Sequence, residues 1–117
     1  MATLTTRVVP HAGLVVDRTT DYASASGGGD ACATGSGVVL HVINGDAASK
    51  TVTLNVPTAT KIDGDLSISN RAVVIAAGKD ALIPVGDLFA DPTTGLASIT
   101  YSAVTSVKVA VLRIPAS

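Results

Sequence analysis

The stretch Thr51-Val-Thr-Leu-Asn-Val-Pro57, together with Gly37-Val-Val-Leu-His-Val-Ile43 before it, decides the fold class of this chain. Apolar and polar side chains alternate through the later stretch, a period of two that is typical of a strand with one buried face. In the earlier stretch both faces are apolar except at His41, which indicates a central strand. The connecting residues 44–50 begin with Asn44-Gly45, a pair that favours a tight turn, so we expect a hairpin.

Turn residues recur about every ten positions along the rest of the chain, a spacing typical of an all-β sandwich or barrel. The alternation predicts strands at residues 4–9, 12–17, 37–43, 51–56, 66–69, 71–76, 81–85, 96–102 and 106–114. Residues 86–92 are predicted to form a helical turn or a loop that carries Phe89 inward. We therefore predict one domain over residues 1–117, an all-β, single β-sandwich (jelly-roll or Ig-like) of about eight short antiparallel strands.

Two N-terminal segments fit this pattern less well. Pro10 lacks a backbone N–H, so residues 1–10 are predicted to be an edge strand or an N-terminal arm. Residues 24–37 are rich in Gly, Ser and Ala and offer little apolar surface, so they are predicted to be a loop. For the same reason as Pro10, Pro84 indicates an edge position where no hydrogen bond is required.

The composition favours strands and argues against several catalytic chemistries. Hydrophobic residues make up 47% of the 117, charged residues 15%, and the net charge is -1, as in a folded globular chain. Glu and Gln are absent, which removes the zinc-protease helix motif and the bidentate Glu of an EF-hand. Gly78-Lys79 is followed by Asp80 and not by Ser or Thr, and Ser36 lies outside a nucleophile-elbow motif. We expect no enzymatic activity, no cofactor and no metal.

The few chemically capable side chains have structural interpretations. His11 and His41 are the only imidazoles, and we expect His41 to be hydrogen-bonded or to face a subunit contact. Asp63-Gly64-Asp65 is predicted to be a turn in which the carboxylates bind local N–H groups. Cys32 stands alone without a neighbouring Lys or Arg, so we expect an inert thiol and no disulfide within the chain.

Nucleic acid and membranes are not expected as partners. The chain has three aromatic residues, Tyr22, Phe89 and Tyr101, and its eight Lys and Arg are scattered singly. Single-strand binding needs exposed aromatic planes and a basic track. The longest apolar run, residues 72–77, is far shorter than the roughly 20 residues that span a bilayer. Residues 1–7 lack a basic region followed by an apolar one, so we expect no signal peptide and synthesis in the cytoplasm.

Residues 37–114 carry an ordered set of turn and strand motifs. They are Asn44-Gly45, Thr51-Val-Thr-Leu-Asn-Val-Pro57, Ile62-Asp-Gly-Asp-Leu66, Asn70-Arg-Ala-Val-Val-Ile-Ala-Ala-Gly78, Ile83-Pro-Val-Gly86 and the closing strands 99–114. This order resembles accessory capsid proteins (head decoration or cement proteins) of long-tailed bacteriophages, particularly those of actinobacterial hosts. The resemblance implies a β-sandwich that binds the outside of a capsid lattice, and it brings no catalytic residue with it.

From the resemblance we expect a virion protein on the capsid surface that binds the major capsid protein and stabilises the head. Neighbouring copies of the chain are a further expected partner. Such proteins can be monomers, dimers or trimers on the lattice, and of these we favour a homotrimer because local threefold positions recur on such shells. The candidate contact segments are residues 2–10 and 27–37. The first could add to a partner as a strand, and the second lacks bulk and could follow a partner's surface closely. The candidate contact residues are Ala2, Thr3, Leu4, Thr5, Thr6, Arg7, Gly27, Gly28, Gly29, Gly35 and Gly37.

Three alternatives remain open at this point. A tail or head–tail connector component would be another virion protein with the same fold. A receptor-binding or surface-binding β-sandwich module would be favoured by an exposed cluster of Tyr22 with Tyr101. An enzyme would be favoured by a cleft that gathers His11 or His41 with two Asp residues.

Overall fold

The computed structural model describes residues 2–57, 61–62, 66–67 and 69–115, and their regular structure is almost entirely β. A single 3₁₀ turn at Asp87–Phe89 accompanies the strands and carries Phe89 into the core, as predicted. The strands are β1 (Ala2–Thr3), β2 (Thr6–Val8), β3 (Ala23–Ser24), β4 (Asp30–Cys32), β5 (Val38–Asn44), β6 (Lys50–Asn55), β7 (Lys61–Ile62), β8 (Leu66–Ser67), β9 (Arg71–Ile75), β10 (Asp80–Pro84), β11 (Ala97–Tyr101) and β12 (Val107–Arg113).

Two sheets pack face to face, which confirms the predicted all-β sandwich. Sheet A has the order β1-β4-β11-β6-β9, and sheet B has the order β10-β5-β12-β2 with β3 also beside β12. Strands β7 and β8 form a separate antiparallel pair. The pairing differs from the expected antiparallel pattern at two places, β1 with β4 and β2 with β12, which are parallel. Both involve edge strands that reach their neighbours without a hairpin, so nothing forces the chain to reverse.

The core lies between the two sheets and follows the predicted alternation. Val52 and Leu54 of β6 point inward from sheet A, and Val107, Val109 and Val111 point inward from sheet B. The residues that are fully enclosed with them include Leu40, Val42, Val85, Ala97 and Ile99. Burial of these apolar side chains is the main stabilising contribution to a fold without a disulfide.

The predicted hairpin between β5 and β6 is wrong. β5 lies between β10 and β12 in sheet B, whereas β6 lies between β11 and β9 in sheet A, so residues 45–49 cross from one sheet to the other. Gly45 accordingly does not adopt the positive φ of a tight hairpin turn. The alternation reports which face of a strand is buried, and two strands that face each other across the core show the same alternation as two paired strands.

Asn44 anchors the corner where the chain changes sheets. Its side chain is fully buried, and its Nδ2 donates hydrogen bonds to the carbonyl oxygens of Ala48 and Ile75, both at 3.0 Å. Its Oδ1 accepts the Asp46 N–H at 3.1 Å, and its own backbone N–H donates to the Lys79 carbonyl at 3.0 Å. The chain also changes sheets between β9 and β10. Asn44 therefore links the segment that joins β5 to β6 with the segment that joins β9 to β10.

The predicted loop at residues 24–37 is wrong in its centre. Residues 30–32 form β4, which lies between β1 and β11 in sheet A with all three residues buried. Their side chains are small and bury little apolar area. A strand with neighbours on both sides nevertheless has hydrogen-bond partners for its backbone N–H and C=O groups. A prediction from composition alone therefore mistakes such a strand for a loop.

The N-terminal segment resolves the choice between edge strand and arm. β1 lies at the edge of sheet A and β2 at the edge of sheet B, and between them Leu4 is buried in the core. Residues 12–17, predicted to be extended, contain no strand. The predicted turn at Asp63-Gly64-Asp65 lies outside the described residues, as does Met1.

Candidate partner-binding site

The candidate contact residues of the N-terminal segment differ in exposure. Ala2, Thr3 and Thr5 are exposed, and Thr6 and Arg7 are half-buried. Leu4 is 8% exposed and belongs to the main hydrophobic core, so its side chain is not available to a partner. Arg7 is neutralised by Asp21, with 3.1 Å between Arg7 Nη2 and Asp21 Oδ1.

The candidate glycines fall into two groups. Gly27 and Gly28 are exposed, as a surface loop requires. Gly29, Gly35 and Gly37 have positive φ values of 93°, 133° and 80°. A Cβ atom at Gly29 would lie 2.6 Å from the Ile99 carbonyl oxygen, and one at Gly37 would overlap the Ile114 carbonyl oxygen. Gly29 and Gly37 are thus required by packing within the chain.

Replacing Gly37 by alanine is expected to destabilise the protein much more than the same change at Gly78. Both glycines have positive φ, at 80° and 73°, but the space beside Gly78 is open within 4 Å. We expect about 1 kcal/mol for Gly78→Ala and at least about 3 kcal/mol for Gly37→Ala, measured by urea unfolding. Equal losses for the two variants would contradict the close approach of Ile114 to Gly37.

Both predicted contact segments border one cleft, here called the β2 cleft, of about 400 Å³. Its lining residues are Thr6, Val8, Ala33, Thr34, Gly35, Ser36, Val38 and Arg113. Val8 pairs with Arg113, and Thr6 pairs with Val111, so Thr6, Val8 and Arg113 occupy inner-face positions of sheet B. The cleft is therefore a place where the sandwich is open between its two sheets.

Val8 and Arg113 are unusual for inner-face residues. Val8 is 52% exposed, and Arg113 is also exposed, at the end of a strand whose preceding inward positions are buried valines. Among the residues that the structure describes, no carboxylate pairs with Arg113. Val8 lies within the predicted contact segment 2–10, whereas sequence reasoning missed Arg113. The signal was present, because the inward alternation Val107, Val109, Val111 continues to a charged side chain.

The outer face of sheet B is half covered by residues 10–22, here called the strap. Tyr22 and Val16 of the strap pack on Ile43 and Ala110. The Tyr22 hydroxyl lies 2.6 Å from His41 Nδ1, while His41 Nε2 lies 3.2 Å from Asp80. The predicted hydrogen bonding of His41 is thus confirmed, because both of its ring nitrogens have partners inside the protein.

The other half of this outer face is apolar and uncovered by the described residues. Leu82, Pro84, Val39 and Leu112 follow one another across β10, β5 and β12 in adjacent rows of the sheet. Ile114 continues the alternation just after β12. Leu82 is 67% exposed and Ile114 57%. These five residues form the apolar strip, a surface of the kind that marks protein contacts when it is contiguous.

Asp30 is a fully buried carboxylate that sequence reasoning did not single out. It accepts hydrogen bonds from the Tyr101 hydroxyl at 2.7 Å, the Ser26 N–H at 3.2 Å and the Ala2 N–H at 3.4 Å. Burial and this hydrogen bond raise the pKa of Tyr101 well above its usual range. Tyr101 is therefore a neutral donor, and the group ties β1, β4 and β11 together.

Cys32 is buried beside this carboxylate. Burial, with a smaller effect of Asp30, raises the pKa of the Cys32 thiol to about 11. The native protein is expected to react with a thiol reagent at pH 8 at least about two orders of magnitude more slowly than the urea-unfolded chain, because the thiolate is the reactive form and the Cys32 side chain is fully buried. Equal rates in the two states would contradict a buried, protonated thiol.

The alternatives that depended on a clustered site find no support in this arrangement. Tyr22 lies over sheet B and Tyr101 belongs to sheet A, and both hydroxyls are bound internally. His41 meets one carboxylate, Asp80, which also binds Arg18. In the described part of the chain, no three His, Cys or Asp side chains lie close enough together to hold a metal ion, and no helix is long and apolar enough to cross a membrane.

Comparison with known proteins supplies no relative. No protein-family model, curated protein or solved structure matches this chain.

Proposed function

We propose that this protein is a non-enzymatic virion structural protein that binds the outer surface of a tailed-phage head, through the major capsid protein, and stabilises it. Two things support the proposal: the resemblance of residues 37–114 to head decoration proteins, and the apolar strip. The strip is the observation that carries it. Leu82 and Ile114 leave more than half of their surface in water, and a partner that covered them would gain the free energy of apolar burial.

The proposed mechanism is selective binding to the assembled shell. A protein that binds the assembled lattice more tightly than its separated subunits stabilises the lattice by mass action. Repetition over many equivalent sites makes a modest affinity per copy sufficient. Copies could also meet one another on the lattice, as a homotrimer.

The test compares heads that lack the protein with the same heads after purified protein is added back. The protein is expected to raise the temperature at which the heads release their DNA, read with a DNA-binding dye. Electron microscopy should show added density on the outer head surface. Heads that release DNA at one temperature with or without the protein would overturn the cementing role. Density confined to the tail or the connector would overturn the proposed location.

Two matched variants test which surface of the protein contacts the phage head. Leu82→Asp in the apolar strip is expected to reduce head occupancy at least about tenfold, because it puts a charge into the buried contact. Val74→Asp is the control, since Val74 is 70% exposed on the outer face of the other sheet. A loss of binding in the control with none in Leu82→Asp would move the contact to sheet A.

A further inference from the structure

The free edge of β2 borders the β2 cleft and has backbone groups available for pairing. The Val9 N–H donates to the Arg113 carbonyl at 2.9 Å, so the backbone of residues 7 and 9 faces β12. By the alternation of a parallel ladder, the N–H and C=O groups of Thr6 and Val8 point away from the sheet. Within the described ranges no strand pairs with this edge.

The side chains beside this edge select an apolar neighbour. Val8 occupies an inner-face position but is 52% exposed, because it lines the open β2 cleft. Val38 at the cleft is 4% exposed and already part of the core. A guest strand with an apolar residue over Val8 would extend the core into the opening.

The charge at the cleft selects an acidic neighbour. Arg113 lines the cleft, and in the described part of the chain no carboxylate pairs with it. The nearby Arg7 differs, because Asp21 neutralises it. A guanidinium beside an open strand edge is complementary to a carboxylate of an added strand.

The edge of β10, at the other side of sheet B, is protected in a way that β2 is not. The Val85 N–H donates to the Val38 carbonyl, and the Asn44 N–H donates to the Lys79 carbonyl, so residues 80, 82 and 84 face outward. Pro84 faces outward and has no N–H, so a strand approaching this edge would find no donor there. This confirms the predicted edge position of Pro84. Asp80 adds a charge to the same edge.

We infer that the β2 cleft binds an extended, acidic segment of another protein, which adds to β2 as a strand, covers Val8 and places a carboxylate at Arg113. The inference rests on the proposed function, since the segment would belong to the protein that this chain decorates. It deepens that function by giving the partner a chemistry, an alternating apolar strand with an acidic side chain. Strand addition supplies main-chain hydrogen bonds for affinity, while Val8 and Arg113 supply selectivity.

The first test uses two synthetic peptides and NMR of the isotopically labelled protein. Each peptide is capped, alternates valine with threonine over six residues, and ends in aspartate or, as the matched control, in lysine. At concentrations of about a millimolar we expect amide shifts at Thr6 and Val8, with binding about three- to fivefold tighter for the aspartate peptide. Arg113→Gln is expected to remove that difference. Equal binding of the two peptides, or shifts centred on Leu82 and Leu112, would overturn the inference.

The second test removes one backbone donor at the open edge and keeps an apolar side chain there. Val8→Pro removes an N–H that points out of the sheet, so the fold should persist while the peptide-induced shifts at Thr6 disappear. Val9→Pro is the control, because it removes the N–H that donates to Arg113, and it should lower the urea midpoint. Undiminished peptide binding by a folded Val8→Pro variant would overturn strand addition. The peptide experiments do not involve phage heads, so they can fail while head binding by the wild-type protein succeeds, and the reverse.

Discussion

Asn44→Ala is expected to lower the free energy of unfolding by about 3 kcal/mol, and the melting temperature by roughly 10 °C or more. The substitution removes the Nδ2 donor from the buried Ile75 carbonyl and from Ala48, and the Oδ1 acceptor from Asp46. The Ile75 carbonyl, left buried without this donor, accounts for most of the loss, because it gives up water on folding and gains no hydrogen bond to replace it.

Asn55→Ala is the control for this prediction. Asn55 is half-buried on the outer face of sheet A, and its Nδ2 contacts Ser98 and Thr100 oxygens at the longer distance of 3.3 Å. Water can replace these partners, so we expect a loss below about 1 kcal/mol. Urea unfolding followed by circular dichroism measures both variants. Similar losses at the two positions would show that the corner between the sheets does not depend on Asn44.

The second large effect is expected at the buried carboxylate. Asp30→Ala should destabilise the protein by about 3 kcal/mol, because the Tyr101 hydroxyl and the Ser26 N–H lose their acceptor in the interior. Tyr101→Phe should cost about 2 kcal/mol by leaving the carboxylate with one donor fewer. The double variant should lose less than the sum of the two, since each change removes the same hydrogen bond. Strict additivity would contradict the direct contact.

Alkaline pH provides an independent measurement on Tyr101. Its folded-state pKa is raised, so its contribution to stability is fully present below the unfolded pKa of about 10 and is lost as the pH rises further. The wild-type protein should therefore lose stability above about pH 10 more steeply than Tyr101→Phe. For the variant Asp30→Ala, the control is Asp87→Ala, which also removes a carboxylate. Asp87 is exposed and binds the Thr34 hydroxyl at the surface.

The candidate site was predicted from the sequence only in part. Thr6 and Gly35 were predicted as contact residues and do line the β2 cleft, as does Val8 of the predicted contact segment 2–10. Arg113 also lines it and was not predicted. Gly29 and Gly37 were predicted to face a partner, and the structure shows that each accommodates a residue of the same chain, Ile99 and Ile114 respectively. A glycine that allows close approach has the same appearance in a sequence whichever molecule approaches it, so only the folded structure separates the two cases.

The buried polar residues were harder still to anticipate. The sequence predicts a turn residue at Asn44 and a loop residue at Asp30, since both residue types favour turns. Each is enclosed because strands distant in sequence supply its partners, Ile75 for Asn44 and Tyr101 for Asp30. No local pattern around either residue carries that information.

The alternation of side chains determined, by itself, that this chain is a β-sandwich and that Val52, Leu54 and the β12 valines point inward. A strand's side chains alternate whatever lies next to it, so this property can be read one segment at a time. Only the tertiary structure decided that β5 and β6 belong to opposite sheets, that β4 lies inside sheet A, and that β2 leaves an edge open. Pairing depends on which backbones lie side by side once the chain has collapsed, and contacts between distant segments set that arrangement.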